Sequence, residues 1–345
     1  MARPEFASLL GAVVVFVFFA VVADTFLQAS SLATVLYASS TIGIMALAVA
    51  LLMIGGEFDL SAGVAVTSSA LAASLMSYQL TLNVWAGVLI SLVVALAIGF
   101  VNGVLVIRTG LPSFIVTLAM FLMLTGLNLG LTKLVTGNVA SDSVADMDGF
   151  ASAQQVFAAD LVVPDPSLTM LLPGLGGWLV AVVFGGVSVK ITVLWWIVFV
   201  AIASWLLLRT RVGNWIFAVG GSKESARAVG VPVARTKIGL FMGVSFAAWF
   251  SGMHLVFAFN TVQSGEGVGN EFLYIIAAVI GGCLLTGGYG SAVGSAIGAL
   301  IFGMANQGIV YAEWNPDWFK FFLGAMLLFA TVVNVWVRKR VEASR

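Results

Sequence analysis

Charge is what this chain has least of. Only 9% of its 345 residues are Asp, Glu, Lys or Arg, against 61% apolar, and the mean hydropathy is +1.11. A soluble domain of this length needs far more charge to cover its surface, so the composition is that of a polytopic membrane protein. The single cysteine, Cys283, excludes an internal disulfide and argues against a cysteine-ligated metal site. His254 is the sole histidine and lies in an apolar run, where a packed or hydrogen-bonded role is favoured over a ligand's. Seven prolines beside 38 glycines point to close helix packing, not disorder. Formal net charge is zero, so nothing points to nucleic acid. No G-x-x-x-x-G-K-[ST] occurs, so the chain has no P-loop with which to bind ATP.

A helix crossing a bilayer needs about 20 apolar residues. Qualifying runs lie near 8–23, 33–54, 62–79, 84–107, 113–132, 191–209, 237–259, 271–286, 290–311 and 318–337. The turn Gly287-Gly288-Tyr289-Gly290 leaves the eighth and ninth short. Arg3 and the apolar run 9–23 resemble a signal peptide, with Val21-Val22-Ala23 as a tolerable cleavage site. A second membrane-length run follows closely, which favours a retained first helix. Lys and Arg collect on the cytoplasmic side of membrane proteins. With the N-terminus inside, Arg3, Arg108, the stretch 209–237 and the tail residues Arg338, Lys339, Arg340 and Arg345 are cytoplasmic. Lys133, Lys190 and Lys320 then face outward, together with Asp142, Asp146, Asp148, Asp160 and Asp165. An even number of spans returns the C-terminus to the same side. The expected fold is all-α, with about ten transmembrane helices and both termini cytoplasmic.

The long loop 134–190 is expected outside. Its second half, 169–187, is apolar but interrupted by Pro173, Gly174, Gly176, Gly177, Gly185 and Gly186. An eleventh span there would spoil the charge bias, so a segment packed at the outer surface is preferred. An internal echo links the fourth and ninth helices. Ala97-Ile98-Gly99 with Asn102-Gly103 precedes a turn at Pro112; Ala296-Ile297-Gly298 with Asn306 and Gly308 precedes a turn at Pro316. These helices run in opposite directions, as an inverted repeat requires.

The segment Ile54-Gly55-Gly56-Glu57-Phe58-Asp59-Leu60-Ser61 interrupts the apolar stretch 36–75. A carboxylate at bilayer depth costs about 2.5–3.5 kcal/mol, so Glu57 and Asp59 need water, a polar cavity or a partner. Paired glycines free the backbone from helical geometry and suit a place beside a translocation path. The segment also reads as a cytoplasmic turn between two helices, with Asp59 or Ser61 as N-cap. The two readings are compatible. Gly290, Gly294 and Gly298 recur every fourth residue, with Ser291 and Ser295 adjoining. Such a stripe brings two helices close, within the chain or across a dimer seam. Gly265-Glu266-Gly267-Val268-Gly269 follows a transmembrane run in an external loop and is no phosphate cradle.

Arg209, Arg211, Lys223, Arg227, Arg235 and Lys237 fall together between two membrane-length runs. Ser222 is placed to cap a short helix through Val229, with Glu224 near its positive end and Arg227 further along. Gly230 and Pro232 then stop it. Arg211 and Arg235 alone read as contacts for anionic lipid heads. Lipid heads do not call for a capped, terminated helix between them. We therefore read Ser222, Lys223, Glu224, Ser225, Ala226, Arg227 and Gly230 as a docking element for a soluble partner.

Three segments together resemble the permease subunits of bacterial ABC importers of the ribose and xylose type, related to branched-chain amino-acid permeases. Gly55-Gly56-Glu57-Phe58-Asp59-Leu60-Ser61-Ala62-Gly63 is similar to that family's Gly-Gly-Ile-Asp-Leu-Ser-Val-Gly, with an added acidic residue. Residues 102–106 through 111–118 resemble its fourth and fifth helices. Residues 213–221, leading to Glu224, Ala226, Ala228 and Gly230, resemble its cytoplasmic coupling segment. The resemblance covers most of the chain. It implies one transmembrane permease domain over 1–345, with 134–190 an external loop and 210–236 a cytoplasmic coupling loop, in the bacterial inner membrane. It implies a homodimer, an external substrate-binding protein, and two cytoplasmic ABC ATPase subunits that carry ATP and magnesium. A coupling helix near 222–231 would sit on each ATPase. No cofactor or metal is expected on this chain.

A neutral monosaccharide or related polyol suits a path lined by Glu57, Asp59, Ser61, Asn102, Thr117, Asn306 and aromatic side chains. Two departures from the family are the length of the 134–190 loop and the extra carboxylate of Glu57. The alternative is an ion-coupled secondary transporter of a small polar solute, with Glu57, Asp59 and His254 as relay groups. No nucleophile, base and orienting acid converge in the sequence, so enzyme chemistry is not expected.

Overall fold

The structure, a computed structural model, describes residues 4–81, 83–162 and 186–343. Helices dominate because backbone polar groups in hydrocarbon must be satisfied within their own segment. In chain order they are α1 (Pro4–Val22), α2 (Ala29–Ile54), α3 (Ala62–Gln79), α4 (Val84–Thr109), α5 (Ser113–Thr136) and α6 (Phe150–Phe157). After two short strands, β1 (Asp160–Val162) and β2 (Ser188–Lys190), come α7 (Ile191–Arg209), α8 (Arg211–Gly221), α9 (Lys223–Ala228) and α10 (Val233–Phe259). The chain ends with α11 (Asn270–Ile280), α12 (Ala292–Tyr311) and α13 (Trp318–Ala343). Among the described residues seven helices, α1, α2, α4, α5, α7, α10 and α12, are long and apolar enough to cross a membrane. The chain is a multi-pass membrane protein.

Two expectations need correcting. The fold is not wholly α: β1 and β2 pair antiparallel, with Asp160 opposite Lys190. Backbone that leaves the helices needs other partners, and the two stems of the long loop supply them to each other. Lys190 Nζ lies 2.7 Å from Asp160 Oδ1, and its hydrogen bond holds the Asp160 carboxyl below the usual range. The eighth apolar run, expected over 271–286, is helical only to Ile280. Its 11 residues rise about 16 Å, roughly half of a 30 Å hydrocarbon core. The expected surface-packed segment 169–187 falls, up to residue 185, outside the described residues.

α10 runs along α4, α3 and α2, while α2 also holds α7, α11 and α12, and α1 lies on α12. Large apolar side chains such as Leu10, Val21, Leu89, Val93, Leu122, Leu134, Leu208 and Phe321 stand on the outside, as lipid contact requires. Small residues permit the close crossings inside. A Cβ on Gly103 of α4 would lie 2.8 Å from Ile238 Cα of α10. Gly294 and Gly298 of α12 both face α11, so the glycine stripe serves packing within the chain. Its neighbour Gly290 abuts Cys283 and Ile54.

A Cβ on Gly298 would strike the Ala277 carbonyl oxygen and lie 2.9 Å from Gly281 N. Gly298→Val is therefore expected to cost about 1–3 kcal/mol by overpacking. A Cβ on Gly130 of α5 meets nothing within 4 Å, so Gly130→Val is the control. Thermal melting of the detergent-solubilised protein should fall for the first variant only. Equal melting of both would refute close α11–α12 packing.

Candidate functional site

α2 ends in a left-handed glycine cap. Gly56 has φ +79°, its N–H donates to Met53 O at 2.9 Å, and the Glu57 N–H reaches back to Leu52 O at 3.2 Å. Only glycine takes this conformation without Cβ strain, which explains Gly56, while Gly55 has an ordinary φ of −71° and makes room for the Leu240 side chain. The next residues leave the helical ladder, and α5 and α4 supply their partners. Phe58 N–H donates to Ser113 Oγ and Leu60 N–H to Thr117 Oγ1, each at 3.1 Å. Asp59 Oδ1 accepts from the Ser61 N–H at 2.8 Å and from its hydroxyl at 2.5 Å. Asn102 Nδ2 completes the cluster by donating to Ser61 Oγ at 2.9 Å.

Ser61 stands at the N-cap of α3, yet its side chain makes no capping bond because Asp59 and Asn102 engage it. Asp59, Ser61, Asn102 and Thr117 are thus brought together and buried. Glu57 turns elsewhere, to an ion pair with Lys237 of α10, with 12% and 6% of the two side chains exposed. Asn306 lies apart on α12, where it accepts from Gln307 Nε2 at 2.9 Å. α12 packs chiefly on α1, α2 and α11, away from this cluster.

The same cap recurs at the end of α11. Gly282 has φ +90°, its N–H donates to Val279 O at 2.9 Å, and the Cys283 N–H reaches Ala278 O at 3.0 Å. The two broken helices meet. Gly288 N–H donates to Ile54 O at 2.8 Å, and a Cβ on Gly287 would lie 2.7 Å from Gly56 Cα. A third backbone joins them at the end of α8. A Cβ on Gly56 would lie 3.3 Å from Gly220 Cα, and one on Gly288 would lie 2.9 Å from Gly221 Cα. Three chain segments therefore touch main chain to main chain, with no Cβ between them.

Gly221 leads directly into Ser222, whose hydroxyl accepts from the Ser225 N–H at 3.2 Å and opens α9. Glu224 in its first turn and Arg227 in its last complement the helix dipole. Gly230, at φ +84°, closes it, with bonds from Gly230 N–H to Arg227 O and from Val231 N–H to Ala226 O. Ala226, the buried residue of α9, packs with Val219 of α8 and Val233 of α10. The turn therefore has a small core of its own. Lys223 is half-buried; Glu224, Ser225 and Arg227 are exposed, and Val229 is 78% exposed. That leaves one charged and apolar face open to a partner.

Sequence reasoning missed α8, the Lys237 partner of Glu57, and the glycine junction. A signal for the junction exists, since Ile54-Gly55-Gly56 and Ile280-Gly281-Gly282 are the same tripeptide. His254 is a satisfied core histidine. Its Nδ1 lies 2.8 Å from Phe157 O and its Nε2 2.9 Å from the Tyr37 hydroxyl, which fits the neutral ring protonated at Nδ1. Among the described residues no group of three or more His, Cys, Asp or Glu is arranged to hold a metal ion.

The family described as branched-chain amino acid transport system / permease component matches residues 31–331. The ribose import permease protein of Escherichia coli strain K12 is 30% identical over 307 residues, covering 88% of this chain and 85% of that protein. The fructose import permease protein of Rhizobium meliloti is 27% identical over 314 residues, covering 91% and 80%. The galactose/methyl galactoside import permease protein of Escherichia coli strain K12 is 28% identical over 326 residues, covering 90% and 88%. No solved structure matches the chain. The matched region takes in the α2–α3 break, the α11–α12 break and the α8–α9 turn alike, and the protein belongs to the branched-chain amino acid transport system permease family.

Proposed function

We propose that this chain is the transmembrane subunit of an ATP-driven, binding-protein-dependent importer in the bacterial inner membrane, and that it translocates a monosaccharide or related polyol. Relatives named as ribose, fructose and galactose import permeases support the cargo class. One observation supports the mechanism above all: both arms of the α8–α10 turn, on either side of α9, grip the 55–61 break. On the way in, Gly220 lies against Gly56. On the way out, Lys237 pairs with Glu57.

In this reading residues 1–345 form one permease domain, with 210–236 cytoplasmic and 134–190 external. The seven long helices, together with α3, α13 and the eighth apolar run, of which α11 covers only about half of the crossing, make ten spans, with both termini inside and the fourth and ninth spans related by an inverted repeat. Ser291 at the start of α12 donates to Glu5 Oε1 at 2.6 Å, which ties the N-terminal end of α1 to the end of the bundle that holds Gly220 and Gly288. ATP and magnesium belong to the partner ATPase, seated against Ser222, Lys223, Glu224, Ser225, Ala226, Arg227 and Gly230. Closure of the ATPases displaces α9. The Val219–Ala226–Val233 core carries that displacement as a unit to Gly220 and Lys237, and so to the break. Shifting 55–61 parts Ser61 from Asn102 and Leu60 from Thr117, exposing polar groups to a sugar. Asn306 lies on a separate stretch of the same path. A second copy and an external binding protein complete the assembly.

A secondary transporter would pass ions between Glu57, Asp59 and His254. Each has its own partners: Lys237 for Glu57, Ser61 for Asp59, and Phe157 and Tyr37 for His254. This arrangement argues against a relay.

Glu224→Ala with Arg227→Ala is expected to abolish ATP-dependent sugar uptake in proteoliposomes holding permease, ATPase and binding protein, with melting unchanged. Gradient-driven uptake by the permease alone would overturn the importer reading. Lys237→Met leaves a buried carboxylate unpaired and is expected to cost about 3–5 kcal/mol, measured by denaturation in detergent. Adding Glu57→Gln should restore most of that stability but not coupled uptake. A double variant as unstable as the single one would show that the pair is not the link.

A further inference from the structure

α7 and α10 stand side by side and meet through aromatic rings. Phe250 contacts Trp195 and Phe199 with ring centroids 5.4 and 5.1 Å apart. Between these helices and α2 runs a cavity of about 710 Å³. It extends from Phe157 and Trp195 at one end, past Ile202 and Gly243, to Val212, Trp215 and Arg235 at the other. That volume matches built small-molecule sites, which run about 300–1,000 Å³. Its walls are aliphatic and aromatic apart from Arg235 and Thr236, and the Thr236 hydroxyl is engaged by Pro232 O at 3.0 Å. A polar solute would find almost no partner there. Ile202, Val212 and Phe246 are exposed along the rim, so the cavity opens on the outside of the bundle. Gly239 and Gly243 both line it, and a Cβ on either would meet nothing within 4 Å. Arg235 is exposed and makes no ion pair among the described residues.

We propose that this groove binds an anionic phospholipid, with an acyl chain between α7 and α10 and the head group on Arg235. The apolar walls follow two membrane-spanning helices, so their long direction is that of a lipid tail. The one cationic group stands at the end where α10 begins. Given the cytoplasmic placement of the 210–236 loop, on which this inference rests, that end faces the leaflet richest in anionic lipid. A helix from a second copy fits less well, because it would bury the unpaired Arg235 guanidinium. The bound lipid would touch α8 through Val212 and Trp215 and α10 beside Lys237, and so brace both arms of the α8–α10 turn.

The test is native mass spectrometry of the full-length permease after exchange with mixed micelles of equal phosphatidylglycerol and phosphatidylcholine. The wild type is expected to retain phosphatidylglycerol preferentially. Gly243→Leu, which fills open space, should lower retention of both lipids. Arg235→Gln, at an exposed position, should keep a bound lipid but lose about fivefold in preference, the equivalent of about 1 kcal/mol per basic residue at an anionic surface. Equal retention by the wild type and Gly243→Leu would overturn the proposal, as would an unchanged preference in Arg235→Gln. Loss of the dimer by Gly243→Leu with lipid retention intact would assign the groove to the second copy and overturn it too. Retention needs neither ATPase nor transport, so its failure is distinguishable from failure of the importer reading.

Discussion

A helix that stops within a packed bundle releases backbone groups that need new partners. α2 and α11 both stop in this way, with Ile54, Gly55, Gly281 and Gly282 buried, and the centre of the protein is organised around what they release. Each recovers part of the loss through its own glycine cap. The Ile54 carbonyl takes a further bond from Gly288, and the amides of Phe58 and Leu60 go to hydroxyls on α5. Main chains can approach this closely only where side chains are missing, which accounts for glycine at 56, 220, 287 and 288. Because α8 ends in the same contact, the exposed turn at α9 adjoins the meeting point of the two broken helices.

The interactions around the break differ in kind on its two sides. Hydrogen bonds from Phe58, Leu60 and Asn102 tie 57–61 to α4 and α5. Each is worth about 0.5–1.5 kcal/mol net, and a polar solute can replace them one at a time. Separating Glu57 from Lys237 strands a buried charge, at about 3–5 kcal/mol in one step. The Glu57–Lys237 pair therefore holds the break to α10 at least as firmly as the three hydrogen bonds hold it to α4 and α5.

Local rules were legible in the sequence nearly to the residue. Ser222 caps α9 and Gly230 closes it as expected, because both effects act within one turn of chain. Seven of the ten long apolar runs located membrane-length helices for the same reason. Hydropathy misjudged the eighth run because it registers how apolar 271–286 is, while the end of α11 is set by the conformation of Gly282. α8 escaped notice because its apolar residues, Ile216 and Val219 among them, cover one face of a helix too short to span. The Glu57–Lys237 pair joins residues 180 positions apart, and no local pattern could have matched them. Asn306 was grouped with Asn102 by its place along a helix, but α12 packs on a different set of neighbours.

α3 carries Thr67, Ser68, Ser69, Ser74 and Ser77 as buried residues, packed among α4, α5 and α10, and it is not one of the seven strongly apolar helices. During synthesis it leaves the ribosome before any of those three neighbours. At that moment Ser68 and Ser69 have only the carbonyls of Val64 and Ala65 in their own helix, and its modest hydropathy gives α3 little reason to partition into lipid alone. A helix suited to a polar interior thus depends for its place on segments synthesised after it.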